Sequence, residues 1–392
     1  MRKVAFVIWL WIFSTLYGMS QHSDMQQIIE TVRMKYAPDR RVELFQVKAL
    51  QQNDTLVLKG ETTSLQAYDE IISHARKRST ALKDRIRLLP DKKLGDEIWG
   101  IIYNSAGTLR AEPRYGAEMV SQALLGMPVR ILEQKGGWRR VQTPDRYIGW
   151  INGSVEPMTD AQRQQYLKLP KMIVTALHTR SFTDTGKEAL PVSDLVAGDM
   201  LVIRSVEEAF YQVHYPDGRD AFVKKTDGLK VSDWLNSSRL TGERIVQTAK
   251  QLIGVPYLWG GTSTKGLDCS GFTRQVYFMH GVILARDASQ QVHYGRLIDE
   301  AGDFSEALPG DLVFFGTEAT AENPKERVVH VGIYLGNKRF IHASDYIRIN
   351  SFDPADSLYD AFNTNRYLRT KRIIGEPFGE GMEQLLHNPF YR

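Results

Sequence analysis

One thiol and two imidazoles carry the chemistry open to this chain. Cys269 is the only cysteine among 392 residues, so it cannot close a disulfide within the chain. A free cysteine is ordinarily a small buried hydrophobe, and only its surroundings make it a nucleophile. Here Tyr257-Leu258-Trp259-Gly260-Gly261 precedes it and Asp268-Cys269-Ser270-Gly271-Phe272 encloses it. Downstream, His330 lies in Val329-His330-Val331-Gly332-Ile333-Tyr334-Leu335 and His342 in Phe340-Ile341-His342-Ala343-Ser344. A thiolate nucleophile needs a proton carrier, and a second imidazole can fix the tautomer of the first. His22, His74, His178, His214, His280, His293 and His387 have no such company and read as surface or core residues.

The elements around these residues follow from pattern. Asp268 is a good N-cap, and Phe272, Val276 and Met279 repeat at helical spacing. A helix is therefore predicted from about Cys269 to His280, stopping at Gly281. Cys269 falls in its first turn, where unpaired N–H groups and the helix dipole favour thiolate and can stabilise an oxyanion. In the first histidine run Val329, Val331, Ile333 and Leu335 form one face and turn His330 to the other. Gly336-Asn337 reads as a hairpin turn, so the two runs pair antiparallel. A two-residue loop there sets His330 and His342 on opposite faces, whereas a three-residue loop sets them on the same face. A joint site requires the second arrangement.

These segments, with Gly254-Val255-Pro256-Tyr257, Leu308-Pro309-Gly310-Asp311-Leu312 and Ile341-His342-Ala343, resemble the NlpC/P60 family of cell-wall cysteine peptidases in content and order. The resemblance covers roughly residues 240 to 375. It implies a papain-like α+β catalytic domain in which Cys269 is the nucleophile, His330 the base and acid, and His342 the residue that orients His330.

The remaining chain reads as smaller pieces. Arg2 and Lys3 precede an apolar run from Val4 to about Tyr17, a secretory leader over residues 1–20. Residues 21–98 read as a small α+β domain, with helices from Ser23 to Lys35 and Ser64 to Arg78 and strand-like runs at Val42–Val47 and Leu56–Leu58. Short strands punctuated by glycine and proline, around Trp138 and Trp150, look like a bacterial SH3 barrel over residues 99–160, and a weaker copy follows over 161–232. The peptidase domain takes residues 233–392. The fold class is thus α+β, a papain-like domain preceded by two small SH3-like β-barrels and an α+β N-terminal segment. The formal charge of +4 falls to +2 without Arg2 and Lys3, and the basic residues are dispersed, so no nucleic-acid partner is expected. No metal-ligand spacing occurs, and neither a cofactor nor a metal is expected. No stable membrane anchor after leader removal and no protein partner are implied, and the expected location is secreted across the inner membrane, in the periplasm.

Some members of the family with two such barrels cleave free stem peptides, using a Glu and a Tyr of the first barrel to close the pocket around the substrate's free amine. Glu112 and Tyr147 match those positions. Arg286-Asp287 matches a pair that would contact the γ-linked glutamate and the amine, and Tyr257, Asp268 and Ser270 match other pocket positions. Ala288 stands where relatives often carry Ser, a gap that Ser289 could fill. The resemblance implies a γ-D-glutamyl-L-diamino-acid endopeptidase acting on peptidoglycan-derived peptides with a free N-terminal L-Ala. A hydrolase of intact cross-linked wall, with the barrels as anchors, is the alternative.

Overall fold

The structure, a computed structural model, describes residues 24–237 and 239–392. The leader expected over residues 1–20 lies outside the described residues. The described residues divide into two compact units, one running up to Gly95 and taking in Leu132–Gln134, the other Asp96–Ile131 with Lys135–Arg392.

In the first unit, helix α1 (residues 24–36) is followed by β1 (Phe45–Gln52), β2 (Thr55–Thr62), α2 (Leu65–Arg78) and β3 (Leu82–Leu88). Ser64 caps α2 through its Oγ, which accepts the Ala67 N–H at 3.2 Å. Ala67, Ile71, Ile72 and Ala75 form the buried stripe that packs with Phe45, Val47 and Ala49 of β1. β1 and β2 pair antiparallel, and β3 joins β2 in parallel. The polar sequence of β3 gives no alternation signal, and it escapes prediction for that reason.

From Trp99 to Lys230 the chain forms two sheets of the same strand order. The first comprises β4 (Trp99–Ile102), β5 (Ala106–Arg110), β6 (Met119–Leu124), β7 (Pro128–Lys135), β8 (Trp138–Gln142), β9 (Ile148–Asn152) and β10 (Val155–Met158), ordered β10-β4-β7-β8-β9-β5-β6. Helix α3 (Asp160–Lys168), opened by a Thr159–Gln162 capping box, leads into the second. This sheet comprises β11 (Lys171–Val174), β12 (His178–Phe182), β13 (Pro191–Val196), β14 (Met200–Val206), β15 (Phe210–His214), β16 (Asp220–Lys224) and β17 (Gly228–Lys230). Its order is β17-β11-β14-β15-β16-β12-β13, so every strand takes the place of the one seven earlier. An internal repeat that is faint in sequence is thus complete in topology.

The rest builds the domain that carries the cysteine. Helices α4 (Val231–Ser237) and α5 (Gly242–Gln251) precede a short ribbon, β18 (Thr262–Ser263) and β19 (Gly266–Leu267), and then α6 (Cys269–Phe278). After β20 (Val282–Leu284) and α7 (Ala288–Gln291) come β21 (Arg296–Asp299), β22 (Leu312–Thr317), β23 (Arg327–Gly336), β24 (Arg339–Ser344), β25 (Tyr346–Ser351), α8 (Ala361–Thr364), β26 (Tyr367–Arg372) and β27 (Met382–Gln384). Six of these form a sheet ordered β21-β26-β22-β23-β24-β25, and β20 pairs with β27. Helix α6 lies on this sheet, with Phe272 and Val276 among Leu312, Phe314, Val331, Ile333, Ile341 and Ala343. Each of these side chains other than Ala343 contributes about 1.5–3 kcal/mol by leaving water. Phe304, Phe315, Phe340 and Phe352 cover the opposite face. The architecture is α+β, as the sequence implies.

Candidate active site

Helix α6 begins where its capping chemistry dictates. Asp268 Oδ1 accepts the Gly271 N–H at 2.7 Å, which makes Cys269 the first helical residue. A Cβ on Gly271 would come within 2.0 Å of the Gly261 carbonyl oxygen, so the small residue lets the Trp259-Gly260-Gly261 loop close against the helix. The helix ends at Phe278 with Met279 as its cap, slightly short of the expected His280, and Gly281 follows at φ +75°.

The histidine hairpin resolves the register question in a way that neither loop length anticipates. The turn is Asn337-Lys338, not Gly336-Asn337, with both residues at positive φ and Gly336 opposite Arg339. That pairing alone would place the histidines on opposite faces. A bulge at Leu335 shifts the register so that Tyr334 faces Phe340, which returns His330 and His342 to one face. Gly332 leaves the space they need, since a Cβ there would come within 3.2 Å of His342 Cβ.

On that face His330 Nε2 and His342 Nδ1 lie 2.8 Å apart, and His342 Nε2 lies 2.9 Å from Asn350 Oδ1. Asn350 Nδ2 donates to the Leu358 carbonyl at 3.3 Å, which directs its Oδ1 at the imidazole. The chain of bonds then assigns the protons. His342 donates from Nε2 to Asn350, accepts at Nδ1 from His330 Nε2–H, and leaves His330 Nδ1 without a proton and able to accept one. Burial holds His342 at a pKa of about 4 and pushes that of His330 well below the usual value, helped by the charge of His342. Both rings are neutral at pH 7.

Cys269 departs from expectation in sign. Its position predicts a depressed thiol pKa, and the Ser270 and Val331 N–H groups do favour thiolate, as does Arg286. Burial outweighs them, aided by the charge of Asp268, and pushes the thiol up to about 12. Tyr257 stands beside Cys269, Asp268 and Arg286, and burial raises its pKa so that its hydroxyl remains a donor.

The other matched positions divide into an internal lattice and a rim. Arg286 is buried, and its guanidinium donates to Asp268 Oδ1 and Oδ2 at 3.1 and 2.6 Å, to Ser270 Oγ at 3.1 Å and to Ser121 Oγ at 3.2 Å. Asp268 Oδ2 also accepts the Gly260 N–H at 3.0 Å. Asp268, Ser270 and Arg286 thus fix the first turn of α6, at Cys269. Asp287 caps α7 and lies 3.9 Å from Arg286. Ala288 is buried in the core and Ser289 is half-buried. Gln291, which sequence reading passes over, links Thr273 on α6 to the Ala285 carbonyl beside Arg286.

The first barrel joins this lattice directly. Thr262 and Ser263 bond Gln122, and the Trp259 indole donates to Glu118 at 2.8 Å. Tyr147 is buried and close enough to act on Arg286. Glu112 is exposed and paired with Arg114 at 3.0 Å. Asp145, two residues before Tyr147, forms a buried ion pair with Arg274 of α6 at 3.0 Å. Asp145→Ala leaves Arg274 buried without its counter-charge and is expected to cost about 3–5 kcal/mol. The thermal unfolding midpoint checks this, and an unchanged midpoint would show that the pair holds nothing in place.

Residues 254–372 match the NlpC/P60 family, and residues 109–154 match the bacterial dipeptidyl-peptidase Sh3 domain. A γ-D-glutamyl-L-lysine dipeptidyl-peptidase of Bacillus cereus is 29% identical over 238 residues, covering 58% of this chain and 67% of that protein. A probable endopeptidase NlpC homolog of Haemophilus influenzae is 32% identical over 142 residues, covering 35% of this chain and 67% of that protein. The crystal structure of an NlpC/P60 family protein from Bacillus cereus shares the fold with a TM-score of 0.59 at 24% identity, covering 70% of this chain and 99% of that one. The matched segment contains both the helix that begins at Cys269 and the hairpin of His330 and His342, and the chain belongs to the NlpC/P60 family of cysteine peptidases.

Proposed function

We propose that the protein hydrolyses the bond between γ-D-Glu and the diamino acid in peptidoglycan stem peptides with a free N-terminal L-Ala. The observation that carries this reading is that the N–H of Val331, the residue after His330, reaches the thiol of Cys269 at the head of α6, while His330 is chained to His342 and Asn350. The substrate class is the one named for the Bacillus cereus relative, a γ-D-glutamyl-L-lysine dipeptidyl-peptidase. Secretion by the leader would bring the enzyme to such peptides outside the inner membrane. Among the described residues no helix is long and apolar enough to cross a membrane.

His330 Nδ1 takes the proton from Cys269 Sγ, and the sulfur attacks the γ-carbonyl carbon of D-Glu. Helix N–H groups and the Tyr257 hydroxyl are the donors available to the oxyanion. Collapse breaks the C–N bond, His330 returns the proton to the departing amine, and a thioester remains. Water then attacks the thioester with His330 as base, releasing L-Ala-D-Glu and restoring the thiol. Tyr147, buried near Arg286, and Glu112 at the surface would meet the substrate's ammonium, Glu112 by exchanging Arg114 for it. The domain division that serves this reading is 99–160 and 161–232 for the barrels and 233–392 for the peptidase.

The test is mass spectrometry of products from L-Ala-γ-D-Glu-diaminopimelate, its N-acetylated form and intact wall sacculi. Release of L-Ala-D-Glu from the free peptide alone is expected. Fragments released from sacculi or from the acetylated peptide would instead make the enzyme a wall hydrolase.

A further inference from the structure

Two arginines act on the Cys269 sulfur, Arg286 and Arg366. Arg286 is neutralised by Asp268 and shut inside the lattice described above. Arg366 is different. It follows α8, its guanidinium carbon lies 6.0 Å from the centre of the Phe315 ring, and that ring packs on His330 at 5.6 Å. Its charge reaches both Cys269 and His330.

Arg366 is held in place without a direct ion pair among the described residues, although the charge of Asp360, which bonds Asn363, acts on it. Nε and Nη2 both donate to Asn363 Oδ1, at 3.0 and 2.7 Å. Asn363 is itself buried, and its amide donates to Asp360, which caps α8. The guanidinium also stacks 4.3 Å from the Phe362 ring, which is 71% exposed. No hydrogen bond engages Nη1 among the described residues. A half-buried cation, fixed on two sides, stacked on an exposed aromatic ring and open at one nitrogen, is pre-organised for an anion.

The peptidase reading supplies one at the right distance from the chemistry. The acyl half of the substrate belongs on the side of Asp268, Tyr257 and Tyr147, whereas Arg366 reaches the reacting pair past His330, which protonates the departing amine. We propose that Arg366 recognises a carboxylate of the leaving diamino acid and so sets which stem peptides are cleaved. The inference rests on the proposed function. That carboxylate is the α-carboxylate, one bond from the carbon that bears the leaving nitrogen in a peptide ending there, or the distal carboxylate of diaminopimelate. The chemistry is shared, and amidating each in turn separates them.

The experiment measures peptide binding by calorimetry to Cys269→Ala protein, with and without Arg366→Gln. The probes are L-Ala-γ-D-Glu-L-Lys, its C-terminal amide, and the diaminopimelate peptide with either carboxylate amidated. With Arg366 present, amidating the recognised carboxylate is expected to weaken binding about 10- to 100-fold. With Arg366→Gln the free acid and the amide should bind alike, and Arg366→Lys should retain part of the preference. Equal weakening of acid and amide by Arg366→Gln would overturn recognition and leave only an effect on the site's packing or charge. Cleavage by the unaltered enzyme is scored separately: failure to split the Glu–Lys bond refutes the proposed function, while the binding comparison still reads the role of Arg366.

Discussion

Cys269→Ala is expected to remove turnover, by on the order of 10⁵-fold or more in kcat, while leaving the fold intact. The sulfur is buried in the core cluster, so its loss costs about 1 kcal/mol of cavity and transfer energy, a small change in thermal midpoint. Retained turnover would eliminate the thioester route. The same residue makes a second, independent statement through its protonation. In the substrate-free enzyme the thiol is pushed up to about 12 and His330 well below its usual value, so between those limits the pair rests as thiol and neutral imidazole. Alkylation by iodoacetamide should therefore be slow at pH 7 and rise about tenfold per pH unit from pH 7 to 10, as the thiolate fraction does. A rate that is flat from pH 5 upward would mean a preformed thiolate–imidazolium pair. The base limb of catalysis follows from the same shifts. His330 is competent above its depressed pKa, so kcat/KM should hold below pH 6.5 and fall only as the pH drops through that lower value.

The contrast between Asp268 and Arg366 shows which parts of the site the sequence declares. Asp268 announces the helix because capping is local: residue type, neighbour spacing and one hydrogen bond suffice. Cys269 and the two histidines are legible for the same reason, each sitting within a short pattern. Their mutual placement is not, because it depends on a single bulged residue, Leu335, that reverses the face of everything before it. The sign of the thiol's pKa is equally hidden, since local helix dipole favours one direction and burial by distant chain the other. Asn350, Gln291 and Ser121 enter the site through pairings made only after folding, and no spacing to Cys269 marks them. The second seven-stranded sheet lies between these extremes. Four of its strands carry alternation that can be read, while its full correspondence to the first appears only in the hydrogen-bonded order.

The second large effect concerns the imidazole that never touches the sulfur's proton. His342 is fully buried, and its pKa of about 4 keeps Nδ1 an acceptor throughout the neutral range. Without it His330 loses the bond that places its proton on Nε2, and the ring can present either nitrogen, or a rotated face, to Cys269. His342→Ala should therefore lower kcat by about 10²–10⁴-fold with KM little changed, because the lost interaction orients the base and does not hold substrate. His342→Asn should recover part of this loss, since a carboxamide oxygen can accept the same proton. Asn350→Ala acts one bond further out, freeing His342 to adopt the opposite tautomer, and should cost about tenfold. The expected order has Ala at 342 worst, Asn at 342 intermediate and Ala at 350 mildest, and a packing role would give the same order because the volume removed falls likewise. The thermal midpoint separates the two, since packing losses appear there whereas losses of orientation appear in kcat with the midpoint little changed. If His342→Ala keeps its kcat, the base nitrogen is being set by some other contact and the proton assignment along Asn350, His342 and His330 is wrong.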